Sequence, residues 1–232
     1  PSSPADGTHI VEDFLTNDAV TDAAVGQLRW ERETIGNAST PSYLTGETHG
    51  VLRLTTAATA DGDGEALRSF TDGLVFEGKG GWFRARVRYP DITGNQLAGN
   101  NFRIGLDDSV TATSPTVGIW VDSDAGVLSL QVDSADGGDK AAAVAGVSTL
   151  TSGTTAVLGT WHDIKVEWEG ENSLGGPKNV RLWVDGELAA TVTNTLIDND
   201  EEVELKIAHW QDTGGAADLE FDIDYFECWL PR

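Results

Sequence analysis

The run from Trp161 to Thr193 constrains the fold more than any other part of this chain. Ile164, Val166 and Trp168 alternate with Asp163, Lys165 and Glu167, and a side-chain period of two belongs to a strand that buries one face. Val180-Arg181-Leu182-Trp183-Val184 repeats the alternation, Asp185-Gly186 interrupts it, and Glu187-Leu188-Ala189-Ala190-Thr191-Val192 resumes it. Asp-Gly between two such runs predicts a two-residue hairpin, because a type I′ turn needs positive φ at both central positions. A hairpin with one apolar face is not stable alone and needs further strands and a second layer.

The rest of the chain supplies them. In Trp82–Tyr89 the residues Phe83, Ala85, Val87 and Tyr89 take one side and three arginines the other, and Pro90, which cannot donate to a ladder, ends the run. Val51–Leu54, Phe102–Leu106, Val117–Val121, Gly126–Val132, Val203–Ala208 and Leu219–Trp229 read the same way, with Asp122–Gly126 as a turn. Helical periodicity is nearly absent. Roughly a dozen short strands, each with one apolar face, predict an all-β fold of two packed antiparallel sheets, a jelly-roll sandwich. A chain of 232 residues suits one such domain, over 9–232, behind a flexible N-terminal arm of residues 1–8. Asn95–Asn101 and Asp133–Asp139, rich in Gly and Asp, are expected to be surface loops.

Charge narrows the partners. Asp plus Glu number 38 against 15 Lys plus Arg, a net charge of −23. Such a field repels nucleic acid and anionic membranes, so neither is expected as a partner. Acidic excess with few lysines fits a halophilic source, since the Debye length falls to about 3 Å at 1 M salt; an ordinary acidic surface is the plainer alternative. The N-terminus lacks the basic and apolar regions of a signal peptide. Cys228 is the one cysteine, so no intrachain disulfide forms, and its apolar surroundings predict a core residue.

The pair of runs Gly159–Trp168 and Val180–Gly186, with the closing Asp222-Ile223-Asp224-Tyr225-Phe226, resembles the laminin G and concanavalin A-like superfamily. That likeness implies the sandwich but leaves function open, because lectins, glycan hydrolases, lyases and structural domains share it. Glu12-Asp13-Phe14, Gly26-Gln27-Leu28-Arg29-Trp30 and His49-Gly50-Val51-Leu52-Arg53-Leu54 are similar to the start of virion proteins of tailed viruses. This second resemblance implies capsid decoration on the virion head, a homo-oligomer such as a trimer, a major capsid protein or other virion protein as partner, and no catalytic residue to carry over. It is the leading expectation; the alternative is a carbohydrate-binding module for adhesion to a host surface, an extracellular task, and third a glycan hydrolase or lyase.

Residues that could carry chemistry are few. Glycan hydrolases of this fold use a carboxylate row on one strand, where two groups flank a sugar bond about 5–5.5 Å apart. Glu220, Asp222 and Asp224 form such a row, with Glu227 beyond, but on the last strand, and the plainer reading is a solvated face. His9, His49, His162 and His209 lack zinc-like spacing. Calcium fits better: Asp61, Asp63 and Glu65 in one Gly-rich stretch, and Asp122 with Asp124 in another, offer hard oxygen ligands, although such loops also serve as mere turns. Of the eight Trp, Trp120 and Trp210 lie nearest loops and are the candidates for stacking on a glycan, burial being the default for all.

Overall fold

The computed structural model describes residues 7–15, 25–37, 41–44, 50–57, 62–69, 74–75, 79–108, 115, 117–133, 156–170, 178–193, 202–212 and 218–231. Among these every regular element is a strand, and all strand pairs are antiparallel. The first sheet runs β13 (Glu187–Thr193), β12 (Asn179–Val184), β11 (His162–Trp168), β7 (Gly81–Arg88), β15 (Glu220–Pro231), β4 (Leu52–Thr55), β3 (Ser42–Tyr43), with β1 (Gly7–Glu12) beside the far half of β15. The second runs β10 (Val127–Asp133), β9 (Gly118–Asp124), β8 (Asn100–Asp107), β14 (Glu202–Gln211), β5 (Gly64–Arg68), β2 (Glu31–Ile35), with β6 (Leu74–Val75) on the start of β14. Runs of consecutive strands, β11–β12–β13 and β8–β9–β10, are joined to strands from distant parts of the chain, as β7 pairs with β15 and β8 with β14. The concanavalin A-like sandwich expected from the sequence is the fold observed.

The inward positions of both sheets interlock in one core. Phe83, Ile164, Val166, Leu182 and Phe226 of the first sheet meet Phe102, Ile104, Val121, Leu130 and Ile207 of the second. Phe102 stacks on Phe221 with centroids 4.6 Å apart, and the Tyr89 hydroxyl donates within the core to Ser123 Oγ at 2.8 Å. Cys228 is fully buried there, and burial pushes its thiol pKa far up, so it stays protonated.

The turns follow their residues. Asp185 and Gly186 have φ of 52° and 83° and join Val184 directly to Glu187, the turn that the Asp-Gly pair predicts. Ala125 and Gly126, at 49° and 83°, do the same between β9 and β10, so the turn is shorter than the five residues expected.

Two boundaries move. The sheet begins at Gly7, two residues inside the expected arm; residues 1–6 lie outside those described. Asn95–Asn101 is not simply a surface loop, because Asn95, Asn100 and Asn101 are all buried and Asn100 opens β8. Asn95 Nδ2 donates to Pro90 O at 2.8 Å, and its Oδ1 accepts from Asn100 Nδ2 at 3.0 Å and from the Glu220 amide at 3.0 Å. The amide side chains take the place of a ladder there. Of the other predicted loop, Asp133 ends β10 and 134–139 lie outside the described residues.

The N-terminal motif residues form a clasp. Glu12, fully buried, accepts from the Phe14 amide at 2.8 Å and from the Leu28 amide at 2.7 Å. Gly26 sits against that carboxylate, where an added Cβ would lie 2.5 Å from Oε2, and Gly50 lies against the Phe14 carbonyl, where one would lie 2.0 Å away. Phe14 and Trp30 fill the core beneath. Glu12, Phe14, Gly26, Trp30 and Gly50 are therefore explained by packing.

Candidate functional site

The carboxylate row is a structural ion-pair lattice. The Asp222 side chain is fully buried, held by Arg53 through two bonds of 2.7 and 3.0 Å and by Arg88 at 2.8 Å. Asp224 pairs with Arg86 at 2.8 Å, and Glu220 pairs with Arg53. Arg88 and Arg86 lie over the Trp161 ring at 4.4 and 5.1 Å. The expected solvated face is thus replaced by carboxylates whose charge is matched by arginines of β4 and β7. Burial raises the Glu220 pKa, opposed by Arg53.

The calcium candidates are dispersed. Asp63 is buried and its Oδ1 accepts from the Asn37 amide at 2.8 Å; Glu65 is buried and pairs with Arg32 at 3.2 Å; Asp61 lies outside the described residues. Asp122 takes Arg103 at 2.7 Å and Trp120 Nε1 at 3.0 Å, while Asp124 is exposed at the end of β9. Among the described residues no three His, Cys, Asp or Glu side chains come together in a geometry that could hold a metal ion.

Trp120 on β9 and Trp210 on β14 flank Arg103 of β8 on the outer face of the second sheet and are not open platforms. The Arg103 guanidinium lies 5.4 Å from each ring, and Trp120 is only 4% exposed. The pair sandwiches a cation and leaves Trp120 no free face for a sugar; Trp210 is half-buried.

An open groove lies instead on the outer face of the first sheet. It measures about 940 Å³ and is lined by Trp82, Trp183, Arg84, Lys165, Asp163 and Glu167 among others. Register explains its floor. Trp183, Lys165, Arg84 and Glu227 are cross-strand partners in one row over β12, β11, β7 and β15; Arg181, Glu167, Trp82 and Trp229 form the adjacent row. All point outward because their neighbours Phe83, Ala85, Ile164, Val166 and Leu182 point into the core. Two half-buried indoles, Trp82 and Trp183, thus flank paired charges.

Those charges are fixed. Arg84 Nε donates to Asp163 at 2.7 Å, and the Tyr225 hydroxyl donates to the same carboxylate at 2.9 Å. Burial would raise the Asp163 pKa, but these bonds outweigh it and hold it below the usual range. Lys165 Nζ donates to Glu167 at 2.7 Å, and Glu167 is likewise held low against the effect of burial by Lys165. Both carboxylates are ionised at neutral pH and serve as acceptors, the cations as donors. At one end His162 Nδ1 meets Asp185 Oδ2 at 2.8 Å, and at the other His9 Nε2 meets Glu227 at 2.7 Å.

Sequence reasoning passed over Trp82 and Trp183, although parity carried the signal. Trp82 shares its parity with Arg84, Arg86 and Arg88, and Trp183 with Arg181, the polar side of each strand.

No family model matches the chain, and no curated protein does. The structure resembles the carbohydrate recognition domain of Emp47p with a TM-score of 0.63 at 11% identity, covering 100% of both chains. It resembles Bacillus licheniformis β-glucanase with a TM-score of 0.60 at 14% identity, covering 97% of this chain and 99% of that one. Against the endo-1,3-β-glucanase from Streptomyces sioyaensis the TM-score is 0.60 at 17% identity, over 100% of this chain and 99% of the other. At these identities the likeness is one of fold.

Proposed function

We propose that this chain is a non-catalytic carbohydrate-binding domain whose ligand lies in the groove of the first sheet. One observation carries the reading: indoles of Trp82 and Trp183 bracket the ion pairs Arg84–Asp163 and Lys165–Glu167 in an open groove of about 940 Å³. A sugar ring has an apolar face of C–H groups and an edge of hydroxyls. An indole face meets the first, and immobilised charged side chains meet the second as donors and acceptors. Likeness in fold to a carbohydrate recognition domain and to glucanases supports the same ligand class.

Binding without turnover is supported by the protonation states. Glycoside hydrolysis needs a protonated carboxylic acid beside a second carboxylate, whereas the groove's Asp163 and Glu167 are held ionised. Glu220, whose pKa burial raises, shares Arg53 with an Asp222 also occupied by Arg88. A glycan array probed in low and in high salt tests the reading. Binding that weakens about tenfold in Trp183→Ala, the loss of one aromatic contact of roughly 1.4 kcal/mol, is the expected result; a blank array at both salts overturns it. A virion-surface setting, with a major capsid protein as partner, is our second reading. It rests on the N-terminal motifs, and purified particles lacking this chain by mass spectrometry would remove it.

A further inference from the structure

We infer that the groove takes a neutral linear oligosaccharide lying across the strands, from Trp183 on β12 to Trp229 on β15. This rests on the carbohydrate reading above and adds to it the length and charge of the ligand. The first observation is continuity. A second hollow of about 310 Å³, lined by Gly80, Gly81, Trp82, Glu167 and Trp229 among others, shares Trp82 and Glu167 with the larger groove. Trp82 therefore stands where the two hollows join, and Trp229 is its cross-strand partner on the far side.

Length follows from the sheet. Four strands spaced about 4.8 Å apart give a path of about 14 Å. One pyranose with its linkage is about as long as one strand spacing, so the path accommodates about three sugars in line, with indoles on its first, third and fourth strands. Gly81, on the inward side of β7, leaves room for the core Trp168: a Cβ there would lie 2.4 Å from that ring.

Charge follows from the ion pairs. The cations along the path, Arg84, Lys165 and Arg181, already face Asp163, Glu167 and Glu169. Bonds from Arg181 and Asn179 lower the Glu169 pKa and outweigh the raising effect of burial. Asp185 and Glu227 add negative charge at the two ends. A uronate or sulfate would enter where Arg84, Lys165 and Arg181 are already paired with carboxylates, in a chain of net charge −23.

The test is an isothermal titration series with the intact chain, using disaccharide to hexasaccharide gluco-oligosaccharides and, on an array, neutral, uronate and sulfated glycans graded by length. Affinity that rises about tenfold from disaccharide to tetrasaccharide, or roughly 1.4 kcal/mol, is expected in a neutral series. Trp229→Ala flattens that rise and Trp229→Tyr restores it, with the melting temperature of each variant measured alongside to separate lost binding from lost folding. Affinity independent of length, or preference for uronate or sulfated chains, overturns the inference and leaves the carbohydrate reading standing. An array blank for every glycan removes both.

Discussion

Arg53 grips Asp222 with two parallel hydrogen bonds, Nε to Oδ1 at 2.7 Å and Nη2 to Oδ2 at 3.0 Å. The two residues lie on adjacent strands, β4 and β15, as direct cross-strand partners, and Arg88 reaches the same carboxylate from β7. One aspartate thus ties three strands of the first sheet together at the position where a glycanase reading would seek a catalytic group. Removing one member of a buried pair leaves uncompensated charge and costs about 3–5 kcal/mol. Asp222→Asn is therefore expected to lower the urea midpoint strongly with an unchanged slope, while the residual folded protein binds glycan as the parent does. Loss of binding at unaltered stability would reassign Asp222 to the site.

His209 makes stability depend on pH. It is fully buried, stacked on Phe221, and its Nε2 meets Asn100 Oδ1 at 2.8 Å; burial lowers its pKa from 6.5 to about 3. Between those values the unfolded chain binds a proton that the folded chain does not, so stability rises with pH across this window. The contribution is complete above about pH 6.5 and falls by about 1.4 kcal/mol per pH unit as the pH drops towards 3. Urea unfolding at graded pH should show this slope, and His209→Gln should flatten it.

The clasp around Glu12 is measurable on its own. Glu12→Ala removes a buried acceptor from the Phe14 and Leu28 amides, and losing charged hydrogen bonds costs at least about 2 kcal/mol. Hydrogen exchange at those two amides should accelerate, while amides of β11 and β12 change only by the global loss of stability.

Arg103 is expected to resist replacement by lysine. Its guanidinium lies between Trp120 and Trp210 and pairs with Asp122, and an ammonium lacks the planar fork and the stacking faces. Arg103→Lys should cost about 1–2 kcal/mol, with a red shift in Trp fluorescence. An unshifted spectrum and midpoint would show that the stack adds nothing.

Much of the fold was legible because strand alternation is local. Phe83, Ala85 and Val87 against Arg84, Arg86 and Arg88, and Asp185-Gly186 between Val184 and Glu187, define faces and a turn through interactions within a few residues. The buried Asn95 and Asn100 were not legible. Asparagine in a Gly-rich stretch reads as a loop residue, and only the Glu220 amide, 125 residues away, makes it an internal fastener. The Trp120 and Trp210 candidates failed as platforms for a similar reason: Arg103, which fills the space between them, comes from a different strand than either.

The sequence alone determined that this chain forms strands with one apolar face, that a two-residue turn closes the hairpin at Asp185-Gly186, and which side of each strand is polar. Tertiary structure alone decided which polar sides became neighbours. The Trp82 and Trp183 indoles flank one groove because β11 lies between β7 and β12 in the sheet, and Asp222 is buried because Arg53 and Arg88 arrive on either side of it. A side-chain period of two specifies a face, whereas the order and register of strands far apart in the chain depend on burying all those faces in one core.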